Sequence, residues 1–282
     1  DWSSDVCSSD LFDPALWSWG LKFLRNCTDQ RERINMERTL RVSLYSRAVL
    51  KALRQRTNLQ YNQVTEGILH IYRTPEEFVE GRHLGEALSA LGLPQDVLTA
   101  ADCVRVEPAL GYAASRNDLV GGLLSPEDES GDARQFTVEL AALARARGAV
   151  FLHGVSVQRL EADRRRITRV ITDQGDDTPD AIVLALGSFS TRLGKTVGLD
   201  LPVYPAKGYS ISVEITNARA APTVSITDES RYMVFSRLGN RMRVAGTAEL
   251  AGWNTDLDPV RVEPLKRNAL SLFPEAAAYG EL

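Results

Sequence analysis

Residues 181–190 read AIVLALGSFS, and this stretch decides the fold class. The part that ends at Leu186 is apolar without alternation, which is typical of a strand covered on both faces of a parallel sheet. Gly187 and Ser188 follow it, and ligands of open parallel sheets lie beyond the carboxyl ends of the strands. The stretch therefore predicts a nucleotide-binding layer. An ordinary strand-to-helix turn with a serine cap is the structural alternative.

The segments on both sides of this run predict an α/β layer followed by a second sheet. Residues 136–148, FTVELAALARARG, have apolar positions at helical spacing and end at a glycine. Three β-rich segments come next, at Val150–Leu152, Val155–Leu160 and Ile167–Thr172. From residue 201 short alternating strands and turn signals follow, and then a helix at 259–272. The predicted class is α/β, α+β overall, with a partial Rossmann-like layer and a mostly antiparallel sheet with flanking helices.

The N-terminal half adds a long helix and a strand–turn–helix unit. Apolar residues recur at helical spacing between Arg31 and Arg56. Residues 67–74, GILHIYRT, are β-rich, and Pro75 with two glutamates after it starts a helix. A short apolar cluster beside two basic residues fits either the core or a membrane surface. Its members are Trp17, Trp19, Leu21, Phe23 and Leu24.

The composition is typical of a soluble globular protein, with 44% hydrophobic and 25% charged residues among 282. The net charge of −4 argues against a nucleic-acid partner, because phosphates require a concentrated basic surface. No apolar run approaches the ~20 residues of a membrane-spanning helix. Cys27 and Cys103 form neither a disulfide framework nor a zinc site, so we expect a reducing, cytoplasmic compartment.

The sequence gives little support to metal or hydrolytic chemistry. The histidines, His70, His83 and His153, have no ligand spacing, and there is no G-x-S-x-G motif. Four acids lie close together, at Glu127, Asp128, Glu129 and Asp132. We predict that they form a polar loop that caps the next helix, with a cation site as the alternative. No metal site is predicted.

Several stretches, in register along the chain, resemble the amino-acid-oxidising flavoproteins, and most closely the small subunits of bacterial D-amino-acid dehydrogenases. The resemblance extends from about Asp13 to Leu282. The stretches are LRNCTDQ at Leu24, SPEDESGDARQF at Ser125, ALGSFST at Ala185, VYPAKGYSISV at Val203 and RMRVAGTAELAGWNTD at Arg241.

The resemblance implies FAD as the cofactor and suggests roles for individual residues. The implied cofactor-binding residues are Val157 by the adenine, Ala185, Gly187 and Ser188 by the flavin nucleotide, and Lys207, Gly208, Gly246 and Thr247 by the ring. The implied catalytic positions, on the substrate side of the isoalloxazine, are Tyr209 and Tyr232. Each residue also has a structural alternative, such as a surface aromatic for Tyr232 and a β-bulge for Gly246.

The resemblance further implies that the parent protein is an enzyme, which removes hydride from the α-carbon of a D-amino acid. The products would be a 2-oxo acid and ammonia. Electrons would pass to a quinone or another respiratory acceptor, and the protein would associate peripherally with the inner membrane. Two alternatives remain open: another FAD-dependent amine oxidoreductase, of the glycine, sarcosine or proline type, and a non-catalytic binding module.

The sequence departs from that family in two motifs. It contains neither the G-x-G-x-x-G of a dinucleotide-binding turn nor the family's G-x-R-P segment. Residues 1–11, DWSSDVCSSDL, match the translation of a sequencing adaptor and are interpreted as a non-native scar. We therefore expect an internal fragment with neither tight FAD binding nor turnover. The predicted domains are a helical segment at 12–57, a substrate domain at 58–126 and 201–282, and a partial FAD-binding domain at 127–200.

Overall fold

The computed structural model describes residues 13–164 and 166–281, so the interpretation of residues 1–11 lies outside the described residues. The described chain divides into two compact units. Unit 1 comprises residues 13–32, 144–207 and 249–255, and unit 2 comprises residues 33–143, 208–248 and 256–281. The functional names given to the sequence-based domains stay predictions.

Helices predominate along the chain as far as residue 146, and strands predominate from residue 157 to residue 249. The helices are α1 (Pro14–Leu24), α2 (Asp29–Thr57), α3 (Pro75–Ala90), α4 (Ala100–Val106), α5 (Gly111–Ser115), α6 (Ala133–Ala146), α7 (Ser190–Lys195) and α8 (Pro259–Leu272). The strands are β1 (Ile68–Tyr72), β2 (Asp96–Thr99), β3 (Gly121–Ser125), β4 (Val157–Ala162), β5 (Ile167–Thr172), β6 (Gly175–Asp177), β7 (Lys207–Glu214), β8 (Ser225–Asp228), β9 (Met233–Leu238) and β10 (Arg241–Glu249). The predicted long helices and the strands after residue 201 are confirmed.

Unit 2 is built on a seven-stranded sheet in the order β2-β3-β1-β8-β9-β10-β7. Strands β1 and β8 run parallel, whereas β1 with β3, β8 with β9, and β9 with β10 are antiparallel. Alternate residues of β7 are buried, as expected for a strand with one face against a core. The predicted fold class, mixed α/β with a mostly antiparallel sheet, is confirmed.

Helix α8 covers the core of unit 2. Asp258 caps its first turn and Pro259 occupies the first helical position, where a missing N–H costs nothing. Its Leu265 and Leu272 are fully buried. Phe273 follows the helix and packs edge-on against Phe235 of β9, with ring centroids 5.3 Å apart. The helix therefore packs against the part of the sheet formed by β9 and β10.

Unit 1 contains a three-stranded sheet in the order β4-β5-β6 and the short helices α1 and α7. Leu160 of β4 donates its N–H to the Thr196 hydroxyl just after α7, at 3.1 Å. This contact ties the sheet to the helix within the unit.

The prediction of a buried strand at residues 182–186 is wrong for this structure. The segment forms no strand, and 88% of the Val183 side chain is exposed. Val150–Leu152 also forms no strand, and its side chains are exposed. A strand requires a neighbour to satisfy its N–H and C=O groups, and no strand within the described part of unit 1 pairs with either segment.

Candidate functional site

Tyr232 lies in the tight turn between β8 and β9, and 60% of it is exposed. Its φ is 53°, in the left-handed region that disfavours residues with large side chains. Gly246 of β10 pairs with Met233, the residue after Tyr232, and Thr247 follows with a φ of 58°. Unit 2 thus brings together three residues that the sequence predicted for the site.

Gly246 allows the close approach of these segments. A Cβ atom there would lie 2.8 Å from Met233 Cγ and 3.0 Å from the Tyr232 carbonyl oxygen. Strands β9 and β10 pair without a register shift as far as Gly246, so this glycine is not a bulge against β9. Its role in the structure is to let β10 pass against the Tyr232 turn.

Tyr209 occupies a different environment from Tyr232. It is 3% exposed in β7, and its hydroxyl accepts a 3.4 Å hydrogen bond from the N–H of Asp258, the N-cap of α8. The preceding residue, Gly208, is exposed, and a Cβ atom there would meet nothing within 4 Å. Contact of Tyr209 with a substrate therefore stays a prediction.

Lys207 pairs with Glu249 within unit 1. The Nζ–Oε2 distance is 2.9 Å, and the two side chains are largely buried. The acid at 249 was not singled out in the sequence, where it ends an alternating strand. Pairing with Glu249 gives Lys207 a structural role in addition to the predicted proximity to the flavin ring.

The predicted nucleotide residues of unit 1 lie at the open turn around Gly187, except Val157, which begins β4. Gly187 has a φ of 55°, and a Cβ atom there would meet nothing within 4 Å. Ala185 and Val157 are exposed, and Ser188 is partly buried. These residues fit the apolar parts of FAD, because they offer exposed apolar surface and a backbone without a side chain in the way. The phosphate cradle G-x-G-x-x-G is not among the 282 residues.

An aromatic cluster beside this turn was missed by the sequence analysis. Phe189 and Trp253 lie 4.6 Å apart by ring centroids, and the Arg192 guanidinium lies 3.7 Å from the centre of the Trp253 ring. This distance is within the range of cation–π attraction. No sequence signal joins residues so far apart along the chain.

The acidic loop before α6 is held by arginines of α2. Arg54 donates to both carboxylate oxygens of Glu129, and this bonding lowers the pKa of Glu129 and raises the pKa of Arg54. Arg47 pairs with Glu127 at 2.6 Å and with Asp128 at 3.1 Å.

The same loop caps helix α6. The Gln135 N–H donates to Asp132 at 3.0 Å, which confirms the predicted capping role. No cluster of metal-ligating side chains occurs in residues 13–164 and 166–281.

Comparison with known proteins identifies the relatives of the chain. Residues 14–281 match the family described as FAD dependent oxidoreductase. The chain is 48% identical over 268 residues to a D-amino acid dehydrogenase of Paramagnetospirillum magneticum, covering 95% of this chain and 63% of that protein. It is 44% identical over 274 residues to the D-amino acid dehydrogenase of Dechloromonas aromatica, covering 95% and 65%. The chain therefore spans less than two thirds of the length of these relatives.

Two solved structures share the fold. Glycine oxidase from Geobacillus kaustophilus superposes with a TM-score of 0.72 at 26% identity, over 82% of this chain and 62% of that one. L-Proline dehydrogenase from P. horikoshii superposes with a TM-score of 0.73 at 15% identity, over 83% and 62%. The second likeness concerns the fold alone.

Proposed function

Because the chain belongs to the FAD dependent oxidoreductase family, we propose that the whole protein oxidises D-amino acids to 2-oxo acids and ammonia. The observation that carries this proposal is the 48% and 44% identity to two D-amino acid dehydrogenases over 95% of the chain. The glycine oxidase likeness, at 26% identity, supports a second candidate, a glycine-type amine oxidase.

The backbone of unit 2 supports a substrate site at the Tyr232 turn. Five non-glycine residues of the described chain have positive φ, and three of them are asparagines, which tolerate this conformation. The other two are Tyr232, in the turn before β9, and Thr247 of β10, and both lie beside the paired residues Gly246 and Met233. Strained backbone of this kind persists where the surroundings impose it, and it concentrates at functional sites.

Different residues would bind the cofactor and the substrate. When bound, FAD supplies the acceptor for the hydride that leaves the α-carbon. In unit 1, the exposed backbone at Gly187 and the apolar Ala185 and Val157 would contact the nucleotide. In unit 2, the Tyr232 hydroxyl would donate to the substrate carboxylate and orient the α C–H bond. No side chain is required as a base if the amine binds in its neutral form.

The test is turnover by the full gene product, the protein encoded by the whole reading frame that contains this sequence. D-Alanine, L-alanine, glycine and L-proline are offered separately, and the 2-oxo acid and ammonia are measured. We expect products from D-alanine in preference to the other three. Faster turnover of glycine or L-proline than of D-alanine would favour the second candidate. A protein that oxidises none of the four substrates would favour a binding module.

We propose a quinone or another respiratory electron acceptor and a cytoplasmic location with peripheral contact to a membrane. Helix α1 supports the contact, because Trp17, Leu21 and Leu24 are exposed at i, i+4 and i+7, with Lys22 and Arg25 nearby. No helix among the described residues is long and apolar enough to cross a bilayer. Flotation of the full gene product with anionic vesicles tests the contact, and a Trp17→Ser/Leu21→Ser variant that floats equally well would contradict it.

We further propose that residues 12–282 alone neither bind FAD tightly nor oxidise a substrate. The support is the lack of a G-x-G-x-x-G phosphate cradle in the sequence and the exposure of the apolar segment around Val183. Flavin content after purification tests this. A soluble, yellow, active monomer would contradict it.

A further inference from the structure

Asp228 forms a buried ion pair beside the Tyr232 turn. It is the last residue of β8 and is fully buried. Its Oδ2 accepts hydrogen bonds from Arg73 Nε at 3.0 Å and from Arg73 Nη2 at 2.7 Å. Arg73 follows β1, the parallel neighbour of β8, and only 9% of its side chain is exposed. The pair therefore joins the carboxyl ends of two adjacent strands.

The residues between Asp228 and Tyr232 are bonded to the same strand end. The Glu229 N–H donates to the Ile71 carbonyl at 3.1 Å, and the Arg73 N–H donates to the Ser230 hydroxyl at 3.0 Å. Successive residues of the turn are thus fixed by β1. Arg73 contributes twice, through its backbone to Ser230 and through its side chain to Asp228.

Side chains add a second set of contacts around the turn. Glu229 Oε1 lies 2.7 Å from His70 Nδ1 of β1. The Ser230 hydroxyl donates to Glu77 of α3, and this bond lowers the pKa of Glu77. The turn therefore rests on β1 and α3 through contacts that end just before Tyr232.

Stability alone gives a poor account of the Arg73–Asp228 pair. Burial raises the pKa of Asp228, and the Arg73 guanidinium opposes this rise. The other carboxylate oxygen of Asp228, Oδ1, is buried without a hydrogen-bond partner among the described residues. Replacement of a buried ion pair by apolar residues is often neutral or stabilising, so such pairs are weak evidence for stability. What the pair does is connect the end of β8 to the residue after β1.

We propose that Asp228 and Arg73 are positioning residues that hold the Asp228–Tyr232 turn and thereby aim the Tyr232 side chain at the substrate. This inference rests on the proposed function. Asp228 fixes the start of the turn through its side chain, and its carbonyl accepts from the Arg231 N–H at 3.3 Å. The strained φ of Tyr232 is thus imposed from a neighbouring strand.

Glu107 offers a matched control at the other end of β8. It is buried, and its Oε2 accepts from the Thr223 N–H at 2.6 Å and from the Val224 N–H at 3.0 Å, just before β8 begins. Asp228→Asn and Glu107→Gln therefore each replace a buried carboxylate by an amide of equal size. Both variants are expected to lose stability, but only Asp228→Asn should disturb Tyr232.

The kinetic test uses both variants in the full gene product. For Asp228→Asn we expect KM for D-alanine to rise roughly tenfold or more, as for a misplaced hydrogen bond to a charged group, and kcat to fall, because the same bond orients the α C–H bond. Glu107→Gln should leave KM unchanged. Arg73→Lys, which keeps the charge and loses one of the two donors, should give an intermediate KM and serves if Asp228→Asn does not fold.

A structural readout separates this inference from the proposed function. Hydrogen exchange of the peptide that contains the amides of Glu229 and Arg231 should accelerate in Asp228→Asn or Arg73→Lys and not in Glu107→Gln. Equal exchange and equal KM in Asp228→Asn and Glu107→Gln would overturn the inference. If the unmodified protein oxidises no D-amino acid, the proposed function fails, and the exchange rates alone decide whether the pair holds the turn.

Discussion

Substitution of Gly246 by alanine tests the close packing at the candidate site. A Cβ atom there would lie 2.8 Å from Met233 Cγ and 3.0 Å from the Tyr232 carbonyl oxygen, so the side chain would overpack the two strands. Gly208, on β7, gives a matched control because a Cβ atom there meets nothing within 4 Å. Neither glycine has a positive φ, so neither backbone excludes alanine.

The two variants share one energy term and differ in the other. Gly→Ala reduces the conformational entropy of the unfolded chain and stabilises by about 0.4–1 kcal/mol at either position. Overpacking costs about 1–3 kcal/mol, and it applies at Gly246 alone. The free energy of unfolding should therefore be lower in Gly246→Ala than in Gly208→Ala by about 1–3 kcal/mol, with the control slightly more stable than the parent.

The assay is amide hydrogen exchange of peptides from β9 in increasing urea. Strand β9 lies inside the sheet of unit 2, so its amides report on the stability of that sheet. Equal stability of the two alanine variants would refute the reasoning, because it would mean that the strands separate without cost at Gly246.

Three further predictions follow from the contacts of single side chains. The pKa of Glu129 is lower in the folded protein than in the unfolded chain, so ionised Glu129 stabilises the fold at pH values above the ordinary glutamate pKa. This stability is lost as the pH falls through the pKa of Glu129 in the folded protein. Stability of Glu129→Gln against acid should therefore be flatter than that of the parent, and parallel curves would contradict this. Tyr209→Phe removes the acceptor of the Asp258 N–H and should lower the free energy of unfolding in urea by about 1 kcal/mol. An unchanged free energy of unfolding would contradict this. Val183→Asp should reduce light scattering by residues 12–282, because charge on an exposed apolar segment blocks association, and unchanged scattering would argue against that segment as the cause.

Local signals were sufficient for the elements whose boundaries are set by nearby residues. Helix α8 begins at Pro259 because Asp258 caps it, and both residues are visible in the sequence. Residues 182–186 were predicted less well, because an apolar run indicates that a neighbour covers it but cannot supply that neighbour. Whether this segment forms a strand therefore depends on the neighbouring strands with which it could pair.

The candidate site was predictable only in part. The resemblance pointed to Tyr232, Gly246 and Thr247, and the structure brings these three together in unit 2. The pair of Arg73 and Asp228 was not predictable, because its members are 155 positions apart and meet only through the parallel pairing of β1 with β8. Interactions set by topology leave no local pattern.

The measurement that tests the central claim most directly is anaerobic reduction of the bound flavin in the full gene product by single enantiomers of alanine. The account predicts that the protein carries FAD and that D-alanine bleaches the flavin absorbance, whereas L-alanine leaves it unchanged. A protein without flavin, or a flavin that L-alanine reduces as readily as D-alanine, would contradict the account.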